Sequence, residues 1–295
     1  MTNRPADSGL VICDKPPGWT SHQVVGRVRR LLGTRKVGHA GTLDPMATGV
    51  LVIGVNRATR LLGLLALDDK AYAATIRLGI NTVTDDAEGE VTARSGASAV
   101  GATALEAAIA GLTGNIEQVP SAVSAIKVDG VRAYARVRAG HEVALASRPV
   151  QVRRFEVVGR RDAVVDGVPV VDLDVQVECS TGTYVRALAR DLGVVLGTGG
   201  HLTALRRLRS GPFTVTEAET LGDDPPRLLP LPDAVRRCFS VLTLDEATAT
   251  SVRYGRRLPG LDLPADRTAL FDPSGEFLAL YRQQPGVAAP EAVFV

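Results

Sequence analysis

The stretch Gly38-His39-Ala40-Gly41-Thr42-Leu43-Asp44-Pro45-Met46-Ala47-Thr48-Gly49 sets one carboxylate, Asp44, between glycines, with His39 five positions upstream. Pro45 biases Asp44 away from helical backbone and toward an extended one. Gly41 and Gly49 permit tight turns or the close approach of another backbone. A lone aspartate held this way can act as a nucleophile or a general base. Asp-Pro pairs also start ordinary turns, so this stretch taken alone leaves both readings open.

The elements around it must supply a rigid mount. Residues 9–13 read as a short strand ending in the breaker-rich turn Asp14-Lys15-Pro16-Pro17-Gly18. A helix should follow, capped by Thr20 or Ser21, with Val24, Val25, Val28, Leu31 and Leu32 on one face and Gly33 at its end. The aspartate stretch reads as a loop between that helix and a fully apolar strand at 50–55. Further strands are expected at 72–78, 202–208 and 213–215, and helices at 104–112 and 184–196. Val171, Leu173, Val175, Val177 and Cys179 alternate with Asp172, Asp174, Gln176 and Glu178, the period of an antiparallel strand with one wet face. Residues 120–148 read as an inserted hairpin and short helix with basic side chains.

The chain of 295 residues is long enough for one large domain or up to two smaller ones, and 45% apolar with 22% charged residues is ordinary for a soluble protein. A linker is expected near Asp223–Pro232, rich in proline, giving a domain over 9–232 and a small C-terminal one over 240–295 with a hairpin turn at Asp272-Pro273-Ser274-Gly275. The small one is expected to pack on the first. The net charge of +2 announces no nucleic-acid partner, but Arg27, Arg29, Arg30, Arg35 and Lys36, then Arg206, Arg207 and Arg209, cluster while the pairs Asp68-Asp69, Asp85-Asp86 and Asp223-Asp224 lie elsewhere, which favours a basic surface. Cys13, Cys179 and Cys238 are too far apart for a disulfide framework or a cysteine zinc site, and Cys179 reads as core. No signal-peptide pattern opens the chain and the apolar run at 61–67 is too short to span a bilayer, so the cytoplasm is the expected compartment.

Four more segments accompany the aspartate stretch: Lys15-Pro16-Pro17-Gly18-Trp19-Thr20-Ser21, Lys70-Ala71-Tyr72, Cys179-Ser180-Thr181-Gly182-Thr183-Tyr184-Val185-Arg186, and Gly200-His201-Leu202-Thr203-Ala204-Leu205-Arg206-Arg207. In this order and spacing they resemble the TruB family of tRNA pseudouridine synthases over about residues 9–215. The resemblance implies an α/β (α+β) pseudouridine-synthase fold with a mixed, largely antiparallel central sheet and a small PUA-like, β-rich C-terminal lobe that binds RNA. It implies a reaction: uridine 55 in the T loop of tRNA loses its bond from ribose C1′ to N1, and the base rotates and rejoins through C5. The bonds broken and formed balance without redox change or net hydrolysis, so no cofactor or metal is called for.

By the same resemblance Asp44 is the catalytic carboxylate, acting at C1′, at C2′ or at uracil C6. Arg186 lies beside it, where a planar guanidinium can orient a carboxylate through two bonds. Tyr72 is the active-site ring, stacking on a flipped uracil and helping remove the C5 proton. Leu205 is an apolar pocket wall that excludes water. His39 enters the T loop at the place the base has left. Tyr184 and Lys15 are further expected in substrate binding, the turn around Lys15 supporting the catalytic loop. Lys127, with Ser124 and Arg132, belongs to a segment closing over the T arm, where basic groups meet phosphates. A monomer acting on the tRNA T stem-loop is expected. A metal site at His39 is disfavoured, because His22, His141 and His201 show no ligand spacing. Two rival readings are a tRNA-binding or RNA-folding protein with secondary catalysis, and a hydrolase using Asp44 and His39; the latter lacks a second carboxylate or metal set.

Overall fold

A computed structural model describes residues 7–121 and 145–295, together with the backbone of a small hairpin, Lys127–Val128 paired with Val131–Arg132. Ser124 and the side chains of Lys127 and Arg132, like most of the insertion expected over 120–148, lie outside the described residues. The main elements in chain order are β1 (Gly9–Lys15), α1 (Ser21–Leu31), β2 (Val37–Ala40), β3 (Thr48–Val55), β4 (Lys70–Leu78), α2 (Ala102–Gly111), β5 (Gly114–Gln118), β6 (Arg148–Val165), β7 (Val168–Cys179), α3 (Val185–Val195), β8 (Gly200–Ser210), β9 (Leu229–Pro230) and α4 (Leu231–Cys238).

Their strands form a ten-stranded sheet in the order β9-β1-β3-β8-β4-β7-β6-β5, with β2 added on β3 and Phe213–Thr214 on β8. Neighbours run antiparallel except β3 and β8, which are parallel. The sheet is thus mixed and largely antiparallel. β7 keeps its period of two, Leu173, Val175, Val177 and Cys179 buried and Asp174, Gln176 and Glu178 half-buried, because each peptide unit turns the next side chain to the opposite face. α1 starts where a capping box allows: the Thr20 hydroxyl accepts from the Gln23 N–H, and the Gln23 side chain accepts from the Thr20 N–H at 2.7 Å.

One face of the sheet packs α1, α2 and α3 through Val24, Val28, Leu105, Ala108, Leu188 and Leu192. The opposite face, at the β1–β3 end, packs α4 and the C-terminal lobe in a shared core of Leu10, Ile12, Val50 and Val52 with Leu231, Val235, Phe271, Phe277 and Phe294. That lobe is a five-stranded sheet made by Ser240–Thr243, Arg267–Phe271, Phe277–Gln284, Val287–Val293 and Leu258–Pro259, flanked by the helix Glu246–Arg253. Its turn at Asp272 closes as expected, the Gly275 N–H donating to the Asp272 carbonyl at 3.0 Å. Arg57 ties the lobe to the main sheet by donating to the Phe294 carbonyl at 2.7 Å.

Three expectations are corrected. The aspartate stretch is not all loop: His39 and Ala40 belong to β2, since their backbone pairs with Ile53 and Val52 of β3. The proline-rich stretch is a free connection only in its first part, because Leu229 and Pro230 pair with β1 and α4 follows at once. The basic clusters do not make a bare basic face. Arg206 pairs with Asp14 at 2.6 Å, Arg209 with Glu178 at 3.1 Å and Arg27 with Asp223, so folding brings together acids and arginines that sequence keeps apart. Among the described residues no helix is long and apolar enough to cross a membrane.

Candidate active site

Strand register puts Lys15, Gly49, Arg207, Tyr72 and Val177 in one transverse row across β1, β3, β8, β4 and β7. The row explains a motif glycine. Gly49 has φ +99°, and a Cβ there would lie 2.2 Å from the Arg207 carbonyl oxygen, so only glycine lets β3 and β8 approach.

Asp44 stands at the end of this row, in the loop that joins β2 to β3. The loop is held at several peptides near the carboxylate. Ser21 clamps Leu43 on both sides, its hydroxyl donating to the Leu43 carbonyl at 3.1 Å and accepting from the Leu43 N–H at 2.9 Å. The Gly18 N–H donates to the Pro45 carbonyl at 2.9 Å. The Lys15 ammonium, 0% exposed, donates to the carbonyls of Pro16 at 2.9 Å, Trp19 at 2.6 Å and Pro45 at 3.0 Å. Glu88 accepts from the Met46 N–H. Burial pulls the Lys15 ammonium down to about 8, against a smaller upward pull from Asp44.

The Asp44 side chain is 34% exposed and is gripped by Arg186, whose Nε lies 3.0 Å from Oδ2 and whose Nη2 donates to Oδ1 at 3.1 Å. Arg186 is buried on the first turn of α3, and its Nη1 donates to the Thr84 carbonyl at 2.8 Å and lies 3.4 Å from Asp86 Oδ2. The arginine therefore bridges two carboxylates. Asp86 is itself fixed, accepting from the Glu88 N–H at 3.0 Å. Its neighbour Asp85, at φ +59°, pairs with Arg190 at 3.2 Å, one helical turn beyond Arg186. Two acids of the polar turn 81–89 thus face two arginines of α3.

Beside Asp44 opens a cleft of about 280 Å³ lined by Tyr72, Lys70, Leu205, Arg207, Tyr184 and Arg186, with the Ser180–Thr183 loop as its rim. Tyr72 is buried, which raises its phenol above the ordinary value; the positive charge of Arg207 opposes that rise. The Lys70 ammonium donates to the Ala66 carbonyl at 2.6 Å and is lowered to about 8, first by burial and then by the like charge of Arg207. Tyr184 is locked by Gln118, which accepts from its N–H at 2.8 Å and donates to its carbonyl at 3.1 Å, while Arg148 stacks 5.1 Å from its ring. A carboxylate fixed beside an apolar wall and an aromatic ring can act on one bond of a bound molecule while water is kept away.

The fold thus brings Asp44, Tyr72, Arg186, Leu205 and Tyr184 to one cleft. It does not bring Lys15 there, since that ammonium is spent on three carbonyls. His39 sits half-buried on β2, edge-on to His22 at 5.5 Å, and does not line the cleft; its imidazole is lowered by burial and then by His22 and Arg207. Lys127 lies outside the described side chains. Sequence reasoning missed Asp86 and the burial of Arg207. Nothing local marks Asp86 among turn carboxylates. Arg207 did carry a signal: on a strand it shares a face with Leu205, two positions away.

The chain matches three family models: TruB family pseudouridylate synthase (N terminal domain) over residues 29–185, tRNA pseudouridylate synthase B C-terminal domain over 186–223, and tRNA Pseudouridine synthase II, C terminal, over 239–295. It is 56% identical to the tRNA pseudouridine synthase B of Arthrobacter sp. (strain FB24), covering 97% of this chain and 96% of that one. It is 58% identical to that of Cutibacterium acnes (strain DSM 16379 / KPA171202), covering 93% of each. Among solved structures it resembles a chain in the crystal structure of a Cbf5-Nop10-Gar1 complex, with TM-score 0.71, 25% identity and coverage of 97% of this chain and 85% of that one.

Proposed function

This chain belongs to the TruB family of pseudouridylate synthases, and from that premise we propose that it isomerises uridine 55 in the T loop of tRNA to pseudouridine at the Asp44 cleft. The reading rests above all on Arg186 reaching both carboxylate oxygens of Asp44, one by a hydrogen bond and one by an ion-pair contact, beside Tyr72 and Leu205. The target uridine leaves its stack to reach this cleft, at a cost of a few kcal/mol. Tyr72 offers a ring to replace the lost stacking, and Leu205 a dry wall. His39, held by the pairing of β2 with β3, is suited to enter the T loop behind the departed base. Tyr184, backed by Arg148, borders the same cleft. Lys127 is assigned to the segment that covers the T arm.

Asp44 supplies the ionised carboxylate, and Arg186 holds it in one orientation without needing to move during the reaction. We assign residues 9–232 to catalysis and 240–295 to RNA binding, the latter because the lobe is a separate small sheet docked behind the catalytic one.

A T-arm RNA hairpin incubated with wild type and with Asp44→Asn tests the assignment, with pseudouridine mapped by carbodiimide and primer extension. Product from wild type alone is expected. The variant should keep its RNA affinity within about tenfold, roughly 1.4 kcal/mol. Equal product from both proteins, or none from wild type, would overturn the proposal; binding lost with activity would make Asp44 a structural residue.

A further inference from the structure

We infer that Arg207 supplies the buried counter-charge of this site, against which the detached uracil anion is stabilised. The inference rests on the reaction proposed above and concerns where its charge goes.

Arg207 is 1% exposed and lies on the cleft wall beside Tyr72. Its Nε donates to the Val50 carbonyl at 2.7 Å and its Nη2 to the Gly41 carbonyl at 3.2 Å. The Tyr72 phenol, on its partner position across β8 and β4, lies near enough to feel its charge. These partners are neutral. Among the described residues no carboxylate pairs with it, and the ionisable groups that feel its charge include Lys15, Lys70 and His39. A buried guanidinium stays charged, and leaving it without an anion is costly. Lys70 differs, since the Asp68 carboxylate lies within its electrostatic reach.

The reaction supplies the missing anion. If Asp44 attacks C1′, the C1′–N1 bonding pair leaves with the base and the carboxylate becomes a neutral ester. If Asp44 instead takes the C2′ proton, the C2′–H pair forms a C1′–C2′ double bond, the C1′–N1 pair again leaves with the base, and Asp44 becomes a neutral acid. Both routes move one negative charge from Asp44 to the uracil ring. Arg186 keeps a partner after that move, because Asp86 lies 3.4 Å from its Nη1. Arg207 gains one. On return, C5 bonds to C1′ and Asp44 recovers its charge, by losing the ester bond or by giving its proton back to C2′; the C5 proton then leaves as the C5–C6 double bond is restored, and N1 takes up a proton, so none is gained or lost overall. The charges are thus arranged in advance for the cleaved state, where preorganised donors are worth most.

The test compares wild type, Arg207→Gln and Arg207→Lys in single turnover on T-arm hairpins carrying uridine or 5-fluorouridine at the target position, following loss of the starting nucleoside. Fluorine withdraws electrons and stabilises the uracil anion unaided. Arg207→Gln should slow the uridine substrate by roughly 100-fold or more, the scale of losing one oxyanion donor. It should slow the fluorinated one by no more than about 10-fold and hold RNA affinity within about threefold. Arg207→Lys, which keeps the charge but not the fork, should fall between. Equal slowing on both substrates would make Arg207 structural and overturn the inference. If Arg207→Gln does not fold, wild type alone decides: rates for the two substrates within about tenfold agree with a site that already stabilises the anion, and a fluorinated substrate more than about a hundredfold faster refutes it. A wild type that makes no pseudouridine from the uridine hairpin would instead refute the proposed function.

Discussion

Arg186 holds Asp44 by two nitrogens, Nε 3.0 Å from Oδ2 and Nη2 3.1 Å from Oδ1, while its third nitrogen faces Asp86. Two contacts on opposite oxygens restrict the orientation of the carboxylate more than a single-point contact does. Arg186→Lys keeps the charge and loses the fork. We expect its single-turnover rate to fall about 100-fold, with the melting temperature lowered by only a few degrees. A rate within threefold of wild type would show that orientation by the fork is unimportant.

Asp86→Asn probes the other side of the bridge. Asparagine still accepts from the Glu88 N–H but brings no charge, so Arg186 gives all of its attraction to Asp44. That steadies the resting carboxylate and slows its reaction, by about 10- to 100-fold on our expectation. The buried guanidinium also loses a partner, at about 1–3 kcal/mol of stability. Urea unfolding and single-turnover kinetics measure the two effects, and unchanged values in both would refute the bridge.

Lys15 and Lys70 give the site a pH dependence. Each is lowered to about 8 from an ordinary 10.5, burial being the first cause. A lysine lowered on folding binds fewer protons when folded, so it weakens stability below pH 8, and that penalty is relieved as pH rises from about 8 toward 10.5. Activity should run the other way. A neutral Lys15 amine has two N–H donors for the three carbonyls it now holds, so the Asp44 loop slackens. The rate should fall on an alkaline limb near pH 8 where urea resistance rises. A rate profile flat to pH 10 would contradict this.

Gly49→Ala should be far worse than an alanine at another left-handed glycine. The new Cβ would sit 2.2 Å from the Arg207 carbonyl oxygen, whereas at Gly114, with φ +96°, nothing lies within 4 Å. We expect Gly114→Ala to cost about 1–2 kcal/mol of backbone strain and Gly49→Ala at least about 3 kcal/mol, with loss of activity. Equal melting temperatures for the two variants would mean that β3 and β8 separate easily.

Much of this molecule is legible from local pattern. The alternation at 171–179 foretells β7, and the polar start and apolar face after Thr20 foretell α1. Those features depend on neighbours within a few residues, where the backbone periods of 3.6 and 2 dictate which side chains share a face. The expectation for Asp44, Tyr72, Arg186 and Leu205 comes instead from the family resemblance of five short segments.

The roles of Lys15, Asp86 and Arg207 depend on something else. Sheet order sets β3 against β8 and β8 against β4, although these strands are far apart along the chain, and that order turns Arg207 from one arginine of a basic run into a buried charge at the cleft. The same packing spends Lys15 on three carbonyls and sets Asp86 against Arg186. Segment by segment, a charge looks solvated. Its partner is chosen only when distant strands close, because burial and electrostatic pairing depend on separation in space and not along the chain.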